Sequence, residues 1–353
     1  MSAKETLEEL LLETINQNGS DLHLSEGRKP IIRISGDLVG LEKYEVFTKD
    51  DIVSFLREMI NEDLVKIFNE KQQVDFSHSF KEQARFRGNA FVQRGAFGIV
   101  LRLIPRDIKS IDELNLPQVL KEFANKKQGF FLVVGPVGQG KTTTLASMIE
   151  KINRERTEHI ITIEDPVEYV YDQKNSIIDQ REVKIDTPTF EDGLNGTFRQ
   201  DVDVILVGEM RNRETISAAV TAAETGHLVF STLHTNNASQ TVDRIIDIFP
   251  ANQQDQIRMQ LASSLIGIFS QRLIPRISGG QVPAYELLIN NNAVSNLIRE
   301  KRTHEIDNVI ETSSELGMID MNRTLSDLVT KGEITAENAI LHSFRPEVLK
   351  KMI

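Results

Sequence analysis

The run Phe130-Phe131-Leu132-Val133-Val134-Gly135-Pro136-Val137-Gly138-Gln139-Gly140-Lys141-Thr142-Thr143 decides the reading of this chain. Its apolar start reads as a buried strand, residues 142–153 carry helical spacing, and the turn between them fits G-x-x-x-x-G-K-[ST]. Glycines at those spacings let successive backbone N–H groups turn inward around phosphate oxygens, and the following helix presents the positive end of its dipole. Lys141 then reaches the β and γ phosphates and Thr142 offers a hydroxyl to Mg. With Gly near 7% of residues, the pattern arises by chance in roughly one chain in a hundred of this length. The flanking strand and helix lower that further. The pattern therefore points to a nucleoside triphosphate as ligand, held by Gly135, Pro136, Val137, Gly138, Gln139, Gly140, Lys141, Thr142 and Thr143.

Downstream, apolar strands at 160–163, 204–207 and 228–232 alternate with helical stretches at 189–199 and 214–225. Short strands of this kind between helices predict a parallel sheet covered on both faces. Beyond residue 291 the chain reads as helical (294–299, 306–313, 321–330, 336–342). Upstream the pattern differs. A helix with Leu7, Leu10, Leu11 and Ile15 precedes a hairpin, residues 48–69 hold helical spacing, and 74–80, 84–93 and 96–103 alternate as strands. The expected organisation is a small α+β domain at 1–104, a linker at 105–117 with Pro105 and Pro117 at its ends, a nucleotide-binding α/β domain at 118–290 and a helical region at 291–353.

Composition narrows the partners. The 353 residues suffice for roughly two domains at about 150 residues each, and Lys plus Arg number 41 against 52 Asp plus Glu, a formal charge of −11. That balance argues against nucleic acid as partner, since such affinity comes mainly from neutralising phosphates. Cysteine is absent, which excludes disulfides, thiolate metal sites and a cysteine nucleophile. No apolar run approaches the ~20 residues that span a bilayer, and the N-terminus lacks a signal peptide's regions. A cytoplasmic chain without membrane insertion is expected.

The remaining chemistry gathers at predicted strand ends. Glu164 closes the 160–163 strand and would face the ligand crevice of an open parallel sheet, where it can take a proton from attacking water or position it. The plainer reading of this stretch is that Asp165 and Glu168 make a turn or a helix start. Glu209 follows the 204–207 strand as the acid that holds Mg, with Gly208 where an Asp is usual. His227 and His234 bracket the next strand, and His234 is placed to sense the γ-phosphate. In the first domain Arg85, Arg87, Arg94, Arg102 and Arg106 form a basic stretch, of which Arg87 and Arg102 suit a phosphate site completed by a neighbouring copy.

Taken together these motifs resemble the secretion and pilus motor ATPases over nearly the whole chain. Ser20-Asp21-Leu22-His23-Leu24 is similar to that family's N-terminal signature, and Arg85-Phe86-Arg87 with Asn89 and Arg102 to its arginine-bearing strands. Thr162-Ile163-Glu164-Asp165-Pro166-Val167-Glu168 resembles its Asp box. Val207-Gly208-Glu209-Met210-Arg211 resembles its Walker B, and Thr225 to Thr235 its His box. The resemblance implies a RecA-like P-loop core behind a PAS-like N-terminal domain, a homohexamer, hydrolysis of Mg-ATP, and a place at the inner face of the cytoplasmic membrane against a pilus platform protein. It assigns catalytic roles to Glu164, Glu209, His227, His234, Arg87 and Arg102, with Thr142 and Glu209 as Mg ligands. The short chain, the missing cysteine pairs and Ala293-Val294-Ser295-Asn296-Leu297-Ile298-Arg299-Glu300 are most similar to the retraction motors of type IV pili, with departures from A-I-R-N-L-I-R-E at Val294 and Ser295. An accessory retraction paralogue, a secretion or assembly motor, a nucleic-acid motor and a nucleotide-responsive ring without turnover are the other readings; intact Glu164 and Glu209 speak against the last.

Overall fold

The computed structural model describes residues 2–34, 36–81, 84–104 and 107–353. Pro105 and Arg106 of the expected linker and basic stretch lie outside them. The chain divides into two compact units, Met1–Asp107 with Pro166–Val170, and Ile108–Asp165 with Tyr171–Ile353.

The first unit runs α1 (Ala3–Asn16), β1 (Asp21–Ser25), β2 (Ile31–Ile34), β3 (Asp37–Gly40), α2 (Lys49–Met59), α3 (Glu62–Lys71), β4 (Gln73–Phe80), β5 (Ala84–Gln93) and β6 (Ala96–Ile104). Its strands form one sheet in the order β3-β2-β1-β6-β5-β4, antiparallel at every pair. The alternating strands bury Leu22, Leu24, Ile32, Phe86 and Leu101 on the face that meets Leu10, Leu11 and Phe55 of the helices. Each such side chain contributes roughly 1.5–3 kcal/mol on burial. The helical spacing over 48–69 does not give one helix. Ile60 and Asn61 are extended, and the Asn61 side chain accepts the Leu64 N–H at 3.0 Å. An asparagine that can cap the following turn stabilises a restart, typically by about 1 kcal/mol.

The second unit runs α4 (Val119–Ala124), β7 (Gly129–Val134), α5 (Lys141–Glu155), β8 (His159–Glu164), β9 (Ile177–Glu182), α6 (Phe190–Thr197), β10 (Val204–Val207), α7 (Arg213–Glu224), β11 (Leu228–Leu233), α8 (Ala238–Asp247), α9 (Ala251–Ser264), β12 (Leu265–Pro275), β13 (Gln281–Ile289), α10 (Asn292–Arg299), α11 (Ile306–Thr312), α12 (Met321–Thr330), α13 (Ala336–His342) and α14 (Pro346–Leu349). The sheet order is β13-β12-β7-β11-β10-β8-β9, and only the β12–β13 pair is antiparallel. This is the α/β fold with a mostly parallel sheet that the sequence predicts. Every residue of β7, β10 and β11 is buried, which is why these strands carry no alternation in sequence.

Three departures from the sequence expectation concern this unit. The hairpin of β12 and β13, strand β9 and helices α8 and α9 are not foreseen. The helices beyond 291 belong to the same compact unit, where Met321, Leu325 and Ala339 pack on Ile274, Val282 and Ala284 of the hairpin. The second half of the 105–117 stretch is likewise part of it. Ile111 and Leu116 are buried, and Asp112 holds Lys121 of α4 at 2.6 Å.

Candidate active site

Parallel strands end on one edge, so the residues that follow β7, β8, β10 and β11 meet there. The register sets the heights: Val134 stands beside Leu233, and Val207 beside both Ser231 and Ile163. Hydrogen bonds then lock the three ends that bear the acids and the histidine. The Gly208 N–H donates to the Ile163 carbonyl at 2.8 Å, the Ser231 hydroxyl to the Val207 carbonyl at 2.8 Å, and the Thr232 hydroxyl to the Gly208 carbonyl at 2.7 Å.

Beyond β7 the loop turns at Gly135 with φ +144°, and a Cβ there would lie 2.5 Å from the Gln271 carbonyl oxygen of β12. No side chain fits against that backbone, so the first glycine of the motif is required by close approach as well as by conformation. Lys141 opens α5 and is buried. Its ammonium donates to the carbonyls of Gly135 and Pro136, both at 2.8 Å, and lies 3.3 Å from His234 Nδ1. His234 Nε2 in turn stands 3.7 Å from the Glu209 carboxylate, whose other oxygen meets Arg211 at 2.5 Å. A chain of contacts thus runs from the phosphate-loop lysine through His234 to Glu209 and Arg211. Burial together with the Lys141 charge holds the His234 pKa below its ordinary value against the opposing pull of Glu209, so the imidazole is neutral at pH 7.

Glu164 is buried at the end of β8 and accepts the Thr162 hydroxyl at 2.7 Å. A Cβ on Gly208 would lie 3.6 Å from Glu164 Cγ and 3.4 Å from its Cα. An aspartate at 208 would crowd a second carboxylate against Glu164, and like charges that close resist joint ionisation. The glycine in place of the usual acid leaves Glu164 room. Neighbouring Asp165 pairs with Lys184 at 3.0 Å, and no helix starts at 165–168.

The structure does not bring His227 to this group. It precedes β11 at the amino end of the sheet, about 20 Å of strand away at 3.3 Å per residue, where Nδ1 meets the Ala222 carbonyl at 3.0 Å and the ring stacks edge-on against Phe198. Arg87 and Arg102 lie in the first unit as directly opposed cross-strand neighbours on β5 and β6. Arg102 Nε holds Asp21 at 2.9 Å while most of its side chain is exposed; Arg87 lies 3.8 Å from Glu168. Ser295 of α10 is buried, donating to the Ala262 carbonyl at 2.9 Å, whereas Asn296, Arg299 and Glu300 face solvent.

One residue of the site is not found by sequence reasoning. Gln271 is a buried amide within β12, bonded both to the loop and to α5. The only signal is the polar stretch Ser270-Gln271-Arg272 between apolar residues 265–269 and 273–274. Among the described residues no group of three or more His, Cys, Asp or Glu forms a metal cage, and no helix is long and apolar enough to cross a membrane.

The sequence matches the family described as "Type II/IV secretion system protein" over residues 2–281. It is 44% identical over 331 residues to the Type IV pilus retractation ATPase PilT of Pseudomonas aeruginosa, covering 94% of this chain and 96% of that one. The Type IV pilus ATPase PilU of the same organism is 40% identical over 350 residues, 98% of this chain and 91% of that one. The crystal structure of the pilus retraction motor PilT with bound ADP superposes with a TM-score of 0.90 at 46% identity, covering 98% of each chain.

Proposed function

The chain belongs to the Type II/IV secretion system protein family, and on that premise we propose that it is an ATP-hydrolysing motor that withdraws type IV pili and so supports twitching motility. The observation that carries this reading is the run of contacts Lys141–His234–Glu209 at adjoining strand ends, with Glu164 buried beside Gly208. Its likeness to the retraction motor over nearly the full chain supports the same conclusion.

In this reading the loop from Gly135 to Thr143 cradles the phosphates and Lys141 leaves its two carbonyl partners to neutralise the γ-phosphate. Glu164, shielded from water and oriented by Thr162, takes the proton of the attacking water. Neutral His234 has one ring N–H, which it donates either to Glu209 or to a γ-phosphate oxygen, so the arrival of the γ-phosphate changes the partner of Glu209. A hydroxyl and one carboxylate, those of Thr142 and Glu209, suit Mg, which binds through few protein oxygens plus substrate phosphates; it would neutralise charge on the β and γ oxygens. Arg87 and Arg102 serve a neighbouring copy. Two guanidinium groups directly opposed on a sheet repel each other by up to about 1 kcal/mol, and an anion between them relieves that cost. Turnover would then need a closed homohexamer, working at the cytoplasmic face of the inner membrane against a platform protein.

Electron microscopy of surface pili in a strain deleted for this gene tests the reading, with complementation by wild type and by Lys141→Ala. Excess long pili, returned to normal by wild type alone, is the expected result. Bald cells would reverse the direction to assembly, and an unchanged count would favour the accessory or non-pilus readings.

A further inference from the structure

Strand β12 is apolar except for its middle, where Ser270 and Gln271 are buried. Ser270 pairs in register with Val134, the last residue of β7, so Gln271 stands level with the start of the phosphate loop. Its side chain reaches two parts of that loop's frame. Nε2 donates to the Gln139 carbonyl at 2.7 Å, and Oε1 accepts the Thr144 hydroxyl on the first turn of α5 at 2.6 Å. The Gln139 side chain returns the contact, its Oε1 accepting the Leu273 N–H at 2.7 Å. The loop backbone is thus tied to β12 on both sides of Lys141 and Thr142, in addition to the close approach at Gly135.

An amide is the side chain this arrangement demands. The Gln139 carbonyl can only accept, so the group facing it must donate, and the group facing Thr144 accepts its hydroxyl proton. Thr144 is buried and the Gln139 carbonyl half-buried, so an unmade hydrogen bond to Thr144 keeps its full desolvation cost and one to Gln139 keeps part of it. A glutamate of the same size would turn a carboxylate oxygen on the Gln139 carbonyl, and a leucine would leave both groups unpaired.

We propose that Gln271 is a positioning residue for ATP: through the Gln139 carbonyl and the Thr144 hydroxyl it fixes the spacing between the loop N–H groups and the first turn of α5, without touching the nucleotide. This rests on the ATPase reading above. The loop holds phosphate before and during phosphoryl transfer alike, so loosening it weakens substrate and transition state together. Such a loss raises KM and leaves kcat largely unchanged.

Steady-state ATPase kinetics and fluorescent-ATP binding on the full chain test this with Gln271→Glu, Gln271→Leu and Thr144→Val. At pH 8 the first two should raise KM and the nucleotide Kd about tenfold, with kcat held within about threefold, and Thr144→Val should do the same to a smaller extent. The decisive signature is pH. A protonated glutamate regains one donor and one acceptor, so the KM defect of Gln271→Glu should shrink between pH 8 and pH 6 while that of Gln271→Leu stays constant. Unchanged KM in both Gln271 variants, or a Gln271→Glu defect that is blind to pH, overturns the proposal. A wild-type chain that neither binds nor hydrolyses ATP would instead break the ATPase reading, and the wild-type control separates the two.

Discussion

The two edges of the parallel sheet use the same residue types for opposite ends. At the carboxyl edge Glu164, Glu209 and His234 keep reach toward a ligand: His234 is half exposed, and its two nitrogens face a cation and a carboxylate at 3.3 and 3.7 Å, longer than ordinary hydrogen bonds. At the amino edge His159 is saturated. His159 Nε2 meets Asp179 at 3.0 Å, its Nδ1 meets the carbonyls of Gln200 and Asp201 at 2.9 and 3.0 Å, and its own N–H binds Asp203 at 2.8 Å. His227 is held by Ala222 and Phe198. His159, with both ring nitrogens and its backbone N–H bound inside the protein, has nothing left to offer a substrate, whereas the loosely partnered His234 at the converging strand ends has.

The sharpest way to break this contrast is to neutralise one acid at each edge. Glu164→Gln keeps shape and removes the base, so kcat should fall by about 10²- to 10⁴-fold with ATP binding retained. Asp179→Asn should leave turnover within about twofold. Comparable losses in the two variants, measured as phosphate release under saturating ATP, would erase the distinction between the edges.

His234 offers a second, smaller effect. Because burial and Lys141 depress its pKa, the imidazole gains charge only below the usual histidine range, so the acid limb of kcat/KM should lie below pH 6.5. His234→Gln should lower kcat/KM about tenfold at pH 7.5, the size of one lost hydrogen bond to a charged group, and should abolish that limb. An acid limb that persists unaltered in the variant assigns it to another group.

How far the sequence alone reaches follows the same division. That residues 135–143, Glu164 and Glu209 would stand together at one sheet edge was legible because they follow apolar strands whose ends must converge. The break between α2 and α3 was not legible because a cap at Asn61 acts within one turn and leaves the helical spacing intact on both sides. His234 was separable from His227 by its place after the strand, on the edge of the acids, and only the family resemblance put His227 beside it among the catalytic residues. Gln271 was hidden for a different reason. Its partners Gln139 and Thr144 are more than a hundred residues away, and only the insertion of β12 beside β7 makes them neighbours.

The smallest effect belongs to the amino edge and is one of stability. Burial opposes charge on His159, but the Asp179 carboxylate and the carbonyls of Asp201 and Gln200 outweigh it and raise its pKa. Both ring nitrogens face acceptors, so only the imidazolium satisfies all three. A folded-state pKa above the unfolded value means the stabilisation is complete below about pH 6.5, the ordinary histidine value, and is lost as pH rises through the raised pKa. Asp179 is largely exposed, which limits the ion pair to about 1 kcal/mol, or about 2 °C in Tm for a chain of this size. His159→Gln should therefore melt about 2 °C below wild type at pH 6 and together with it at pH 9, while kcat stays unchanged at both. A Tm gap that widens with pH would mean that His159 is held neutral, and would place the amino edge among the loosely partnered groups after all.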